Sequence, residues 1–568
     1  MRTTIEDIVR NAVQSAMDAG QLALDALPDT PTIAAAVERP RDPQNGDWAT
    51  TIALRLAGQL GSPPRQVAQH IAAHMQDNPN VASVQIAGPG FINLRLSNAA
   101  LQQVIRDVHT QGSDFGRVDV GQGRTLNIEF ISANPTGPMH VGHGRWAALG
   151  NALCNLCAYT GWRVTREFYI NDAGHQMEVF GTSIALRYQE LLGIPFTPPE
   201  EFYGGAYVID LAQQILREEG DTWLTATEQD RTQHFLQRGY TLMLQHMQDL
   251  CTRIGVPFNV WFSERTLYEP NPTTGQSAIQ SLLKILQEKD LLYDKDGATW
   301  LRTSSFCDDK DRVLVKSDGS YTYFAPDIAY HLSKFDRGSE YLINIWGADH
   351  HGYIPRMQSA IEALGHKGKL TVVLGQLVNL YRNGEAVRMS KRTGEMITFE
   401  ELVDEVGADA TKYLMLARST DQPIDFDIEV AKKQDNSNPV YYVQYAHARI
   451  CSLFKKAQEL TGKSTAQVMK ELEGADLALL VDPSELELAR MFSQLSEVIQ
   501  AASKELAPSR LTRFAEDTAR QLHSFYTRCQ VIGDDWELTK ARLYLSDATR
   551  SVLALLLTLL GVTAPQHM

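Results

Sequence analysis

Apolar residues recur at helical spacing from Thr3 to about residue 27, at Ile5, Ile8, Val9, Ala12, Val13 and Ala16, and the pattern stops near Pro28. Two further helical stretches are predicted around 49–60 and 64–76. A hairpin follows, with Val81 to Ile86 and Phe91 to Leu96 joined by Ala-Gly-Pro-Gly. Together these read as a small α+β domain over residues 1–116.

The next stretch opens on an apolar strand, Leu126 to Ile131, passes a Pro- and Gly-rich loop and enters a helical pattern from Val141 to about Tyr159. A second strand, Trp162 to Tyr169, comes directly afterwards, and a strand-helix-strand unit implies a parallel sheet. Helical material from about 175 to 310 interrupts the alternation, which resumes with Tyr341 to Trp346 and Leu370 to Leu374 as its clearest strands. One sheet split by a helical insertion, over 117–438, is the economical reading. Beyond Asn438-Pro439 the pattern stays helical through 439–568, with breaks near 464, 482 and 508. The expected fold class is α/β: a Rossmann-like parallel-sheet domain with a helical insertion, a small α+β N-terminal domain and an all-α C-terminal bundle.

Composition adds two constraints. The net charge of −15 argues against a polyanionic partner when taken as an average. From Val440 onward, however, 14 Lys or Arg face 15 Asp or Glu, so the excess acid lies upstream and the C-terminal bundle can hold a basic face. Six scattered cysteines do not make a secreted disulfide scaffold. The N-terminus reads as an acid-containing amphipathic helix, and the most apolar run, Val552 to Leu560, is far short of the ~20 residues a membrane span needs. A cytoplasmic protein with no membrane partner is expected.

The densest chemistry lies where the first strand of the sheet hands over to a helix. Ala133, Asn134, Pro135, Thr136, Gly137, Pro138 and Met139 lead into His140, Val141, Gly142 and His143. α/β folds bind nucleotides at such a handover. Gly142 and Gly144 would let a base and its phosphates approach the backbone, and a helix start offers unpaired N–H groups to phosphate. A zinc pair is the competing reading, but zinc needs three or four ligands, and the nearby Cys154 and Cys157 read as core residues of a helix. No structural zinc is expected.

His140-Val-Gly-His143 resembles the signature of class I aminoacyl-tRNA synthetases, and the longer string from Glu129 to Gly144 is similar to that of the bacterial arginyl-tRNA synthetases. The likeness continues through Phe168-Tyr-Ile-Asn-Asp-Ala-Gly174 and covers essentially the whole chain. Val387-Arg-Met-Ser-Lys-Arg-Thr-Gly394 is similar to the class I Lys-Met-Ser-Lys-Ser loop, with Arg388 in place of the first lysine and Arg392 in place of the last serine. The resemblance implies catalytic roles for His140, His143 and Lys391, and contacts to ATP from Gly142, Gly144, Met389 and Ser390; Asp349 and His350, just after the strand ending at Trp346, read as lining the ATP ribose or the arginine site, with a solvated turn as the alternative. Magnesium would enter with ATP. For L-arginine it implies Asn134, Glu264, Tyr323 and Asp327; a planar cation with five donors is best matched by carboxylates. Asp327 also reads as a first-turn acid complementing a helix dipole. The family generally requires its tRNA even for the first step.

For the partner tRNA(Arg), the resemblance points to Trp48 in Asn45-Gly-Asp-Trp48, in a domain that touches the tRNA elbow, and to Arg550 in Asp547-Ala-Thr-Arg550, which departs from Asp-Ala-Leu-Arg at Thr549. Arg510, Arg513 and Arg520 fall near one helical face, where aromatic residues interleave with them. A monomer is the expectation. A near-Walker string, Ala457 to Ser464, and the pair His70 and His74 read as structural surface.

Overall fold

The computed structural model describes residues 1–387 and 397–568. Near the N-terminus, strands β1 (Val37–Glu38), β2 (Trp48–Thr50), β3 (Val81–Ala87) and β4 (Phe91–Leu96) form an antiparallel sheet in the order β1-β2-β4-β3. Helices Arg2–Asp18, Ile52–Leu60 and Pro64–Ala73 pack with it. Residues 48–50 are therefore strand, where the sequence suggested helix. Three residues are too few for a period to show, and the pairing of Trp48 with Leu94 decides the matter.

The central sheet uses β5 (Thr125–Glu129), β6 (Arg163–Ile170) and β7 (Val260–Ser263); three more strands, β8 (Leu292–Lys295), β9 (Ala298–Leu301) and β10 (Arg312–Val315), form a small antiparallel sheet. With β11 (Tyr341–Gly347) and β12 (Leu370–Gly375) the central order is β12-β11-β5-β6-β7, every pairing parallel. Chain order reverses between β5 and β11, so their carboxyl ends open a crevice at a topological switch point.

The span from 175 to 310, read from sequence as helical, is helical from His175 to Arg253 and then carries β7, β8 and β9. The turn between β8 and β9 was not read from the sequence. Asp296 and Gly297 both adopt positive φ, 54° and 75°, as a two-residue hairpin turn requires.

Strands buried on both faces should be apolar. Asn127, Glu129, Glu167 and Asn344 break that rule, and each has a buried polar or charged partner, although the Asn127 side-chain oxygen is left without one. Asn127 donates to Glu167 at 2.6 Å, Arg337 grips Glu167 with two nitrogens at 2.9 and 2.7 Å, and the fully buried Lys334 reaches Glu129 at 2.6 Å and Asn344 at 3.1 Å. Helix Phe324–Asp336 supplies Lys334, its C-cap residue supplies Arg337, and the helix is thereby pinned across the sheet.

After β12 come β13 (Val378–Arg382) and β14 (Glu385–Ala386), then β15 (Ile424–Asp427) parallel to β13. The C-terminal bundle follows, from helix Pro439–Thr461 to helix Trp536–Leu559. Its breaks fall at caps: Ser464 and Asp482 each accept from the first turn of the next helix.

The bundle is fastened to the N-terminal sheet. Arg490 reaches Asp47 at 2.5 Å, Arg39 donates to the Ser493 carbonyl at 2.8 Å, and His109 stacks on Tyr544 with centroids 3.7 Å apart. Among the described residues, no helix is long and apolar enough to cross a membrane.

Candidate active site

Strand β5 ends in a tight bend: Ile131 and Ser132 adopt φ of 68° and 48°. A β-branched residue in that conformation is strained and persists only where its surroundings hold it. Here Ser132 accepts from the Tyr169 backbone N–H at 3.2 Å and donates to Glu129 at 3.0 Å. The bend turns the loop toward the N-terminus of helix Val141–Tyr159, whose N-cap is His140. Asn134 in that loop donates to Gln176 at 2.8 Å.

The two signature histidines form one unit. Their rings stack 3.7 Å apart, and His143 Nδ1 accepts the backbone N–H of His140 at 3.1 Å. That bond leaves neutral His143 with its proton on Nε2, as a hydrogen-bond donor. A Cβ on Gly142 would stand 2.8 Å from the His140 ring, so this glycine lets the histidine fold back over the helix start.

Gly144 does something else. It is buried, and a Cβ there would lie 2.6 Å from the Phe399 ring. The absence of a side chain here admits the Phe399 ring. Met389, Ser390 and Lys391 lie outside the described residues. On the far side of that segment, Thr398 bridges to His140 and the Phe399 N–H donates to Met139 at 2.8 Å. The chain at Thr398 and Phe399 is therefore tied to the helix start. Asp349 and His350 follow β11 at the crevice, exposed and 3.5 Å apart.

Beside the crevice lies an acidic pocket. Glu264 stands just after β7 and is 7% exposed; Asp327 sits in the first turn of helix Phe324–Asp336. Tyr268 donates to Glu264 at 3.3 Å and Tyr353 donates to Asp327 at 2.6 Å; Tyr169 also bonds Glu264. Burial raises the Glu264 carboxyl above its usual range. Asp327 is pushed up to about 7, first by burial and then by the charges of Glu264 and Glu129, against the opposing pull of the Tyr353 hydroxyl. Two strained carboxylates with tyrosine partners make a receptor for a cation.

Lys334 is committed to Glu129, and burial drives His331 down to about 3, so it stands neutral between the Asp327 carbonyl and Asn344. Tyr323 is placed differently from the two acids. It is 90% exposed at the N-cap of the helix, at the rim of the pocket within the field of Tyr268.

Sequence reading missed the three pocket tyrosines, Tyr169, Tyr268 and Tyr353, and Asp172. Asp172 is buried and accepts from Ser263 Oγ at 2.6 Å and from the Arg265 backbone at 3.2 Å, bracketing Glu264 from both sides. The signal was present, since Asp172 lies in the Phe168 to Gly174 string. Cys154 and Cys157 are buried helix residues, with thiols raised by burial to about 12.

The candidate nucleic-acid residues divide. Trp48 is fully buried under Arg39, whose guanidinium lies 3.7 Å from the ring centroid, so it is a core residue and not a surface for tRNA. Arg550 bonds Asp547 at 2.7 Å, and Asp547 in turn faces His109 at 3.5 Å, so Asp547 joins the bundle to the N-terminal part. Arg510 and Arg520 are exposed and pair with Glu505 and Asp517 on their own face; Arg513 is exposed. Phe514 and Phe525, read as interleaved with them, belong to the core.

Switch-point crevice, paired histidines and acidic pocket together define a class, and the comparisons bear it out: residues 105–447 match the family model "tRNA synthetases class I (R), catalytic domain". Residues 3–96 match the arginyl tRNA synthetase N-terminal domain, and 443–568 the DALR anticodon binding domain. The chain belongs to the arginyl-tRNA synthetase family. It is 43% identical to the arginine–tRNA ligase of Heliobacterium modesticaldum, over 100% of this chain and 99% of the relative. With that of Bacillus subtilis the identity is 41%, over 99% of both. The Thermus thermophilus arginyl-tRNA synthetase shares the fold, with a TM-score of 0.73 at 21% identity over 100% of both chains.

Proposed function

We propose that this chain is an arginine–tRNA ligase, which activates L-arginine with ATP to arginyl adenylate and transfers it to the 3′-terminal adenosine of tRNA(Arg), releasing AMP and pyrophosphate. The observation that carries the reading is the pocket of Glu264 and Asp327 beside the His140-Val-Gly-His143 helix start. Its paired carboxylates suit a guanidinium, and its position puts the bound amino acid next to a phosphate-binding helix terminus.

In this reading ATP enters with Mg²⁺ as part of the substrate. Its phosphates lie over His140 and His143, and the arginine carboxylate attacks the α-phosphorus in line. Asn134 holds the α-amino group; Glu264 and Asp327 hold the guanidinium. Gly142, Asp349 and His350 border the nucleotide, and Lys391, with Met389 and Ser390, stabilises the leaving pyrophosphate. The protein supplies position and charge rather than a covalent nucleophile. A buried site that must satisfy two carboxylates rejects uncharged isosteres strongly, so no editing domain is required.

Residues 1–116 serve the tRNA elbow, 117–438 the chemistry, and 439–568 the anticodon region, with Arg510, Arg513 and Arg520 facing phosphates. We place the enzyme in the cytoplasm as a monomer. The test is charging of total tRNA with each amino acid in turn: acid-stable label is expected from arginine alone, and label from any other amino acid would refute the assignment.

A further inference from the structure

Asp327 and Glu264 share a wall of hydroxyls. The Tyr353 hydroxyl donates a hydrogen bond to Asp327 at 2.6 Å, that of Tyr268 donates one to Glu264 at 3.3 Å, and Tyr169 bonds Glu264 while lying within the field of both acids. The groups facing Asp327 come from every element around it. Glu129 ends β5, Tyr169 lies on β6, Glu264 and Tyr268 follow β7, and Tyr330, His331 and Lys334 share its own helix. Tyr353 closes the segment after β11, with the Arg356 guanidinium over its ring at 5.0 Å and over that of Phe324 at 6.0 Å.

Lys334 is spent on Glu129, and His331 is held neutral by its two hydrogen bonds. Among the described residues, then, hydroxyls rather than cations face the two acids. Two carboxylates so placed cannot both hold full charge without a cation between them.

We propose that Tyr353 is a positioning residue that makes arginine binding proton-coupled: the empty pocket keeps a proton on the Asp327–Glu264 pair, and the entering guanidinium displaces it. This rests on the reading of the pocket as the arginine site. The exchange balances. A carboxyl O–H bond breaks, its proton passes to buffer, and the freed oxygen accepts a guanidinium N–H, so one positive charge leaves as one enters. Tyr353 occupies one Asp327 oxygen, which favours the ionised form and leaves the other oxygen aimed at the ligand. It thereby sets the pH at which the exchange occurs. That pH lies near neutrality, since Asp327 is raised to about 7.

The sign is fixed by the raised value. Above about 7 Asp327 is ionised and ready; below it, arginine must expel a proton and binds more weakly. One such proton weakens affinity about tenfold between about pH 8 and about pH 6.

The experiment is calorimetric titration of L-arginine into the full chain with tRNA present, at about pH 7, in phosphate and in Tris, whose ionisation heats differ. A binding heat that depends on the buffer, with the sign of proton release, is expected. In Tyr353→Phe the loss of the hydroxyl raises the acid further, so the midpoint of the affinity profile moves to higher pH while ATP affinity stays unchanged. Normal binding with a buffer-independent heat, or a Tyr353→Phe profile that overlays the wild type, would overturn the inference and leave the arginine pocket standing. Failure of arginine to bind at any pH would overturn both.

Discussion

At the scale of single residues, the pocket shows its ligand by what it costs to keep empty. Glu264 and Asp327 are both raised above the ordinary carboxylate range, so each charge is disfavoured until a cation arrives. Replacing Glu264 by Gln should therefore raise the arginine KM on the order of 10²-fold or more, as expected for one partner of a buried charge pair, with the ATP KM little changed in the same steady-state assay. Asp327→Asn should lose arginine affinity and yet melt at a higher temperature than the wild type at about pH 8, because a charge disfavoured in the folded state has been removed. A lower melting temperature with arginine binding retained would contradict this account of the site. The acids themselves were legible in the sequence through family resemblance. The tyrosines that orient them were not, because they come from three elements whose approach only the fold decides.

At the scale of elements, the helix start at His140 and the strand bend before it are local and could be read directly. Gly144 could not, because its meaning depends on Phe399, which arrives from the other side of the sheet's last connection. Gly144→Ala forces a Cβ onto that ring, and overpacking of this kind costs roughly 1–3 kcal/mol. Its melting temperature should fall, and its ATP KM should rise as the tie between Thr398 and His140 loosens.

Helix Phe324–Asp336 makes a second prediction. His331 is neutral in the fold, with a pKa of about 3, while in the unfolded chain it takes up a proton near its ordinary value of 6.5. Stability should therefore be intact above about pH 6.5 and fall as the pH drops toward about 3, by roughly 1.4 kcal/mol per pH unit from this group. Chemical denaturation across that range should show a shallower acid slope in His331→Gln than in the wild type.

At the scale of the whole molecule, the sequence motifs credited to tRNA turn out to serve the joint between the ends of the chain. Asn45-Gly-Asp-Trp48 supplies Asp47 to Arg490 and buries Trp48 beneath Arg39, while Asp547 faces His109. Sequence alone marks such residues as special without saying whether they face solvent or a neighbouring domain. Arg490→Ala leaves Asp47 buried without its cation, which costs roughly 3–5 kcal/mol. Hydrogen exchange should then show loss of protection in β2 and β4 with the central sheet unaffected.

The central claim, that an acidic pocket beside the His140 helix start activates arginine, is tested most directly by ATP–pyrophosphate exchange with tRNA present. Exchange driven by arginine, absent with lysine and citrulline, and abolished in Glu264→Gln is the predicted result. Exchange driven by another amino acid, or by arginine undiminished in Glu264→Gln, would contradict the account.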